Sequence, residues 1–340
     1  MREQITVVEG ADNREGKDEP LLAIAIVTYN RPEMINHYLG TMVQKAEERD
    51  VTIWIYDGST NDETQKVVKK YCDVGYQCIH YVYLDDSNEK ERIKRRVYQA
   101  LYERKAKYVW FTGDRNALEP RKFDYIYECI KMEKYDVLVH GAKEYKEYSS
   151  CAKLYRDYGW YITGWGYAIF KSDLLDRVSL EARSDYFKHT YGGFGDITLF
   201  WLAFSKCSGF RAVALPISPI SLAKNVPLPP PTAFSSDSFK DVWFNNWIKA
   251  NEMLPTVYDE YKDKVTKDWG RNTGVFSPRG FINQRIDGRL TFKSARYNRK
   301  CYPKVTDVNY WFILLVSILP SKMLSIIIKA IDLIKDLPIK

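Results

Sequence analysis

The sequence predicts an α/β fold: a mostly parallel sheet with helices on both faces, followed by a C-terminal helical extension that is partly amphipathic. Three observations point there. Apolar runs that read as strands alternate with helix-length segments from about residue 20 to residue 140. Polar turns follow three of those runs, at residues 28–31, 57–62 and 113–116. After about residue 141 the alternation stops, and the chain closes on an uncharged run and a segment of mixed character.

Residues 1–19 are rich in charge, hold no apolar signal core, and are expected to form a flexible lead-in that does not direct secretion. Leu21–Thr28 (LLAIAIVT) is almost unbroken apolar sequence, the mark of a strand buried on both faces. Asn30 is a candidate cap and Pro32 a suitable first residue for a helix reaching Arg49. Val51–Tyr56 is the second strand and ends in Asp57-Gly58-Ser59-Thr60-Asn61-Asp62, after which Glu63–Tyr71 reads as a helix. Ile79–Leu84 is the third strand, Glu89–Lys105 a basic helix, and Tyr108–Thr112 the fourth strand, ending at Gly113-Asp114-Arg115-Asn116. Pro120–Lys131 is a helix and Asp136–His140 a fifth strand. In a parallel sheet, ligands bind at the carboxyl ends of the strands, and all three turns lie there.

Beyond the alternation, Tyr158–Phe170 is rich in glycine and aromatics. Gly192-Gly193-Phe194-Gly195-Asp196 opens an apolar helix (ITLFWLAF). Pro216–Pro231 holds six of the 14 prolines and reads as an extended connection. Phe239–Tyr261 is expected to be helical. Val308–Ser321 is uncharged, but it is shorter than the roughly 20 residues a spanning helix needs, and Pro320 interrupts it. Lys322–Leu337 sets charges at helical spacing among Ile and Leu, an amphipathic helix.

Composition narrows the function. The 340 residues are 45% hydrophobic and 28% charged with mixed sign, which excludes a disordered chain; 18 glycines and 14 prolines exclude a fibrous one. The net charge of +7 is concentrated: Arg271–Lys304 holds nine basic residues and one acid, so the remainder is close to neutral. That pattern argues against nucleic acid as a partner and for a local anionic one, such as a membrane surface. The six cysteines show no metal-knuckle spacing and read as reduced thiols.

Thr28-Tyr29-Asn30-Arg31-Pro32, the Asp57–Asp62 turn and Asp114-Arg115-Asn116, at these separations, resemble the nucleotide-sugar-dependent glycosyltransferases of the GT-A fold, family 2, over roughly residues 21–205. The resemblance implies a donor site lined by Thr28, Tyr29, Asn30, Arg31, Asp57, Ser59, Gly113, Asp114 and Arg115, with Asp57 on the nucleoside. Asp114 and Asn116 stand where the family holds a divalent cation, Mn²⁺ or Mg²⁺, against the diphosphate. The amide at Asn116 and the added charge of Arg115 imply weakened metal affinity, with Arg115 pairing phosphate in part of the cation's place. Asp196 corresponds to the general base of inverting members, although the acid that often precedes it is Gly195 here. Trp160 and Trp165, with Tyr167 in the same stretch, are candidates to stack on an acceptor sugar, or to pack. Arg92, Arg95 and Arg96 are donor contacts or a solvated face, and His189 is a conceivable third metal ligand.

The expected domain plan is a lead-in over 1–19 and a catalytic domain over 20–215. Its nucleotide-binding half spans about 20–140 and its acceptor half about 141–215. A Pro-rich connection and basic extension follow over 216–307, then an amphipathic region over 308–340. The expected activity is transfer, with inversion, from a nucleotide diphosphate sugar, UDP-linked by preference, to a hydroxyl of a glycan or lipid-linked glycan in surface polysaccharide or glycan synthesis. The basic stretch and the helix after it suit a cytoplasmic enzyme held peripherally on the membrane; a homo-oligomer contact is the competing reading. The rival from another class is a non-catalytic subunit of the same fold that binds glycan or partner and tethers a complex to the membrane. No G-x-G-x-x-G follows the first strand, which argues against a dinucleotide-binding dehydrogenase, and no Gly-rich loop with Arg and Lys supports a nucleotidyltransferase.

Overall fold

The computed structural model describes residues 7–9, 19–83, 106–183, 194–222 and 241–335. The expected helix Glu89–Lys105, with Arg92, Arg95 and Arg96, lies outside the described residues, and so does His189. The chain divides into two compact units, Met1–Pro229 and Pro230–Lys340.

The first unit is built on a nine-stranded sheet. Its strands are β1 (Val7–Glu9), β2 (Leu22–Thr28), β3 (Val51–Asp57), β4 (Ile79–Tyr83), β5 (Tyr108–Gly113), β7 (Val137–His140), β8 (Lys146–Tyr148), β9 (Ala168–Lys171) and β10 (Ala212–Leu215), in the order β1-β4-β3-β2-β5-β9-β7-β10-β8. β4, β3, β2 and β5 are parallel neighbours, and so are β7 and β10. β9 enters antiparallel between β5 and β7. Two further strands, β6 (Asn116–Leu118) and β11 (Ile220–Leu222), pair with each other, so the Pro-rich connection begins as a strand.

The register places the turns. Thr28 lies opposite Asp57, and Val27 opposite Gly113, so all three polar turns leave the sheet along one edge. Every residue of β2 is buried, as its unbroken apolar run requires. Helix Pro32–Glu48 buries Ile35, Tyr38, Leu39, Met42, Val43 and Ala46, the i, i+3, i+4 stripe that covers one sheet face. Helix Pro120–Lys131 does the same with Phe123, Ile126, Tyr127 and Ile130, and Phe123 stacks on Trp110 with centroids 6.2 Å apart. Each large side chain so buried contributes roughly 1.5–3 kcal/mol, which anchors the edge from behind.

Two local expectations change. The lead-in is not wholly outside the fold, because Val8 pairs antiparallel with Tyr81 at the sheet margin. Val7 and Val8 are β-branched and suit a strand, and the outer side of β4 offers them backbone partners. Asn30 does not cap the first helix: the cap residue is Arg31, without a side-chain hydrogen bond.

The second unit is helical. Its helices are Trp247–Glu252, Asp259–Thr273, Pro278–Ile286, Phe292–Tyr297, Tyr302–Val305, Tyr310–Ile318 and Ser321–Lys335. They surround an aromatic core in which Phe244 stacks on Phe276 at 5.3 Å and Tyr302 meets Phe281 edge-on at 5.7 Å. The basic stretch Arg271–Lys304 therefore folds as helices around a core of its own. The single helix expected over 239–261 is broken, because Pro255 cannot continue one. Leu319-Pro320 likewise splits the last segment into two helices bent by 113°. None of the six cysteines is in a disulfide.

Candidate active site

The first two turns are hydrogen-bonded to each other. Thr28 accepts from the Gly58 amide at 3.2 Å through its carbonyl. Asn30 sits at φ +52°, a left-handed conformation that Asn tolerates better than most residues. There its amide donates to Ser59 Oγ at 2.7 Å, and its Oδ1 accepts from the Thr60 amide at 2.9 Å and the Thr60 hydroxyl at 3.2 Å. The distances explain why Asn30 is unavailable as a helix cap.

Asp57 is completely buried. Its Oδ1 accepts from the Ser59 amide at 2.8 Å and from the Ser59 hydroxyl, and its Oδ2 accepts from the Tyr81 hydroxyl at 2.8 Å. Burial, and then the Asp57 charge, push the Tyr81 phenol well above its ordinary pKa, so it stays a donor. These bonds make Asp57 shape the turn. The exposed members of these two turns are Asn30, Thr60, Asn61 and Asp62, with Tyr29 and Arg31 half-buried beside them.

The third turn joins the first through Asp114. Thr28 Oγ1 donates to Asp114 Oδ2 and Arg31 Nη1 to Asp114 Oδ1, both at 2.8 Å. The Asp114 side chain is 4% exposed and that of Arg31 29%, so a buried carboxylate holds a guanidinium that still reaches solvent. Arg115 is half-buried next to it. Asn116 turns inward: its Nδ2 donates to Thr112 Oγ1 at 2.8 Å and to the Trp165 carbonyl at 2.9 Å. Trp165 lies over Gly113, where an added Cβ would stand 3.6 Å from its ring, and meets Phe111 edge-on at 5.0 Å. Trp160 packs edge-on against Tyr161 at 5.4 Å, and Tyr161 packs on Tyr167 at 4.5 Å. Of the two candidate stacking residues, Trp165 adjoins the Asp114 turn.

Gly166 is a hub that composition and motif gave no reason to single out. It sits at φ +99°, and a Cβ there would approach Ile220, Thr112 and Asn116 within 2.9 Å. Its carbonyl accepts from Trp110 Nε1 at 2.7 Å and lies 2.5 Å from His140 Nε2. Burial depresses His140 to about 4, so it is neutral at ordinary pH, and its Nδ1 has no partner among the described residues.

Asp196 stands in the first turn of helix Gly195–Ser205, whose Phe200 packs on Phe170 at 4.6 Å against the sheet. The backbone position of the expected base is thus set by an apolar helix on the sheet.

Asp114 and Asn116, expected at Mn²⁺ or Mg²⁺, hydrogen-bond within the protein. Each Asp114 oxygen accepts one bond, from Thr28 and from Arg31. Asn116 donates Nδ2 to the Trp165 carbonyl, and a cation would take its Oδ1. No group of three or more His, Cys, Asp or Glu side chains suited to a metal occurs among the described residues. No step of the chemistry below runs through a metal.

Residues 23–175 match Glycosyl transferase family 2. They form a family 2 glycosyltransferase domain. The domain has the GT-A fold, and solved structures resemble most of the chain at low identity. S. aureus TarS 1–349 is 13% identical, with 87% of this chain and 90% of that one covered and a TM-score of 0.53. The same protein in complex with UDP-GlcNAc gives 13% identity, the same coverage and a TM-score of 0.54. The mannosyltransferase PcManGT from Pyrobaculum calidifontis, in complex with GDP-Man and Mn²⁺, gives 13% identity over 89% of this chain and 87% of that one, with a TM-score of 0.47. No curated protein matches the sequence. The three turns and Trp165 all fall inside the family 2 domain, and Asp196 lies beyond its matched residues.

Proposed function

We propose that the chain transfers a sugar, with inversion, from a nucleoside diphosphate sugar, UDP-linked by preference, to a hydroxyl of a glycan or lipid-linked glycan, acting from the cytoplasmic side. The observation that carries the reading is the Thr28–Asp114–Arg31 constellation at the carboxyl edge of four parallel strands inside a family 2 domain. The UDP and UDP-GlcNAc complexes of the similar TarS structures support a uridine donor.

Asp196, in the first turn of its helix, takes the proton of the acceptor hydroxyl. That oxygen bonds to the anomeric carbon from the face opposite the leaving group. The bond from the anomeric carbon to the phosphate oxygen breaks, and its electron pair leaves with the nucleoside diphosphate. Negative charge grows on the terminal phosphate, and Arg31, held in place by Asp114, is the cation beside it. Arg115 adds a second positive charge in the same turn.

The experiment is a thermal-shift series with UDP, GDP, TDP and CMP, each with and without Mn²⁺. Stabilisation by UDP that Mn²⁺ leaves unchanged is the expected result. Stabilisation that grows with Mn²⁺ overturns the role given to Arg31. No stabilisation by any nucleotide turns the reading to the non-catalytic subunit. In parallel, Asp196→Asn is expected to lower transfer by about 10²–10⁴-fold with nucleotide binding kept; full turnover in that variant removes Asp196 from the chemistry.

A further inference from the structure

Helices Tyr310–Ile318 and Ser321–Lys335 turn apolar residues to both sides. Inward, Ile313, Val316 and Leu324 are buried, and both helices pack on Pro278–Ile286. Outward, Trp311, Leu315 and Ile318 form an i, i+4, i+7 stripe, and Met323, Ile326 and Ile327 an i, i+3, i+4 stripe, all exposed. Trp311 is 70% and Ile326 67% exposed. A surface helix of a soluble unit ordinarily shows polar residues on that side. Single exposed hydrophobics need no explanation, but two apolar stripes on consecutive helices do.

The pair is also clamped. Arg285 Nε donates to the Leu319 carbonyl at the bend at 2.9 Å, and Arg279 grips Asp332 with two bonds of 2.7 and 2.8 Å. Neither helix is long and apolar enough to cross a bilayer alone, and the 113° bend keeps the pair from forming one straight span. Lys322 and Lys329 are exposed on the second helix. Lys293, Arg296, Arg299 and Lys300 are exposed on and just beyond helix Phe292–Tyr297, which packs against the first.

We propose that this bent pair is an in-plane anchor for an anionic lipid surface. Trp311, Leu315, Ile318, Met323, Ile326 and Ile327 enter roughly the outer 5–10 Å of one leaflet while the neighbouring lysines and arginines meet the headgroups. The anionic choice follows from charge: cations, not carboxylates, crowd the segments around the stripes. The proposal stands independently of the glycosyl-transfer reading.

The test is co-sedimentation of the full chain with phosphatidylcholine vesicles, with or without phosphatidylglycerol, at low and high salt. Binding to the anionic vesicles that weakens with salt is expected. Trp311→Ser with Ile326→Ser should lower the partition coefficient at least tenfold. Lys322→Gln with Lys329→Gln should lower it several-fold only on anionic vesicles. All these side chains are exposed, so melting temperature and UDP-induced shift should stay at the parent values, which separates lost binding from lost folding. Failure to bind either vesicle overturns the proposal. So does vesicle binding undiminished in the serine variant, or a dimer in solution that the serine variant dissolves, which would assign the stripes to a second copy. Resistance of the bound chain to alkaline carbonate would replace the in-plane anchor with a span.

Discussion

The two units each contain an arginine–aspartate pair of nearly the same length, and the pairs do different things. Arg31 and Asp114 are 2.8 Å apart with side chains 29% and 4% exposed. Arg279 and Asp332 are 2.7 Å apart with side chains 43% and 45% exposed. In the first, a carboxylate that has lost water depends on its partner, so the pair orders the sheet edge and aims a guanidinium outward. In the second, both groups remain hydrated and the contact only steers a helix. The contrast extends to the surroundings. The donor edge buries polar groups and satisfies them among themselves, whereas the last two helices leave apolar groups in the open. A polar residue inside and an apolar residue outside both carry a stability cost, and both mark places where the fold serves something besides its own stability.

The sharpest way to break this contrast is at Gly166. Gly166→Ala forces a Cβ into Thr112, Asn116 and Ile220 at φ +99°, and is expected to destabilise the first unit by about 4 kcal/mol in urea unfolding. The UDP-induced thermal shift should fall with it, because the added Cβ presses on Thr112 and on Asn116, which holds the Trp165 carbonyl.

His140 gives the next largest effect, and it depends on pH. Its folded pKa of about 4 lies below the ordinary value of 6.5, so the unfolded chain binds the extra proton first. Stability from this group is therefore complete above about pH 6.5 and falls as pH drops toward 4, by about 3 kcal/mol in all. His140→Gln should flatten that part of the stability–pH curve, while a curve unchanged in shape would show that His140 is solvated.

Arg31→Ala leaves the buried Asp114 without its cation, with an expected loss of about 2 kcal/mol. Adding Asp114→Asn should recover part of that loss, and a double-mutant cycle measures the coupling. The matching variant in the second unit, Arg279→Ala, should leave the unfolding midpoint where it is, because both partners are exposed. If the two arginine variants cost the same, burial is not what distinguishes the pairs.

Much of this molecule is legible in the sequence. The apolar runs at 21–28, 51–56 and 108–112 became strands because a run of that length and composition has few other ways to be buried. The three turns fell at one edge because parallel strands must all end on the same side. What stayed hidden lies at the level of single atoms. Asp57, expected at the nucleoside, also accepts from Tyr81, a contact across 24 residues that no local pattern announces. Asn116, expected at a cation, also donates to the Trp165 carbonyl, a partner 49 residues away. Gly166 was one glycine among several until Trp110 and His140 were seen to converge on its carbonyl.

By itself, then, the sequence determined the order of elements, the sheet that carries the three polar turns, the family 2 character and the place of the charge, since these follow from composition, periodicity and motif. Tertiary structure alone decided which polar groups face inward, that Arg31 pairs with Asp114, and which side of the last two helices meets solvent. Those choices rest on register and packing between residues far apart in the chain. A helix apolar all round, such as Tyr310–Ile318, carries no internal sign of which face its neighbours will cover.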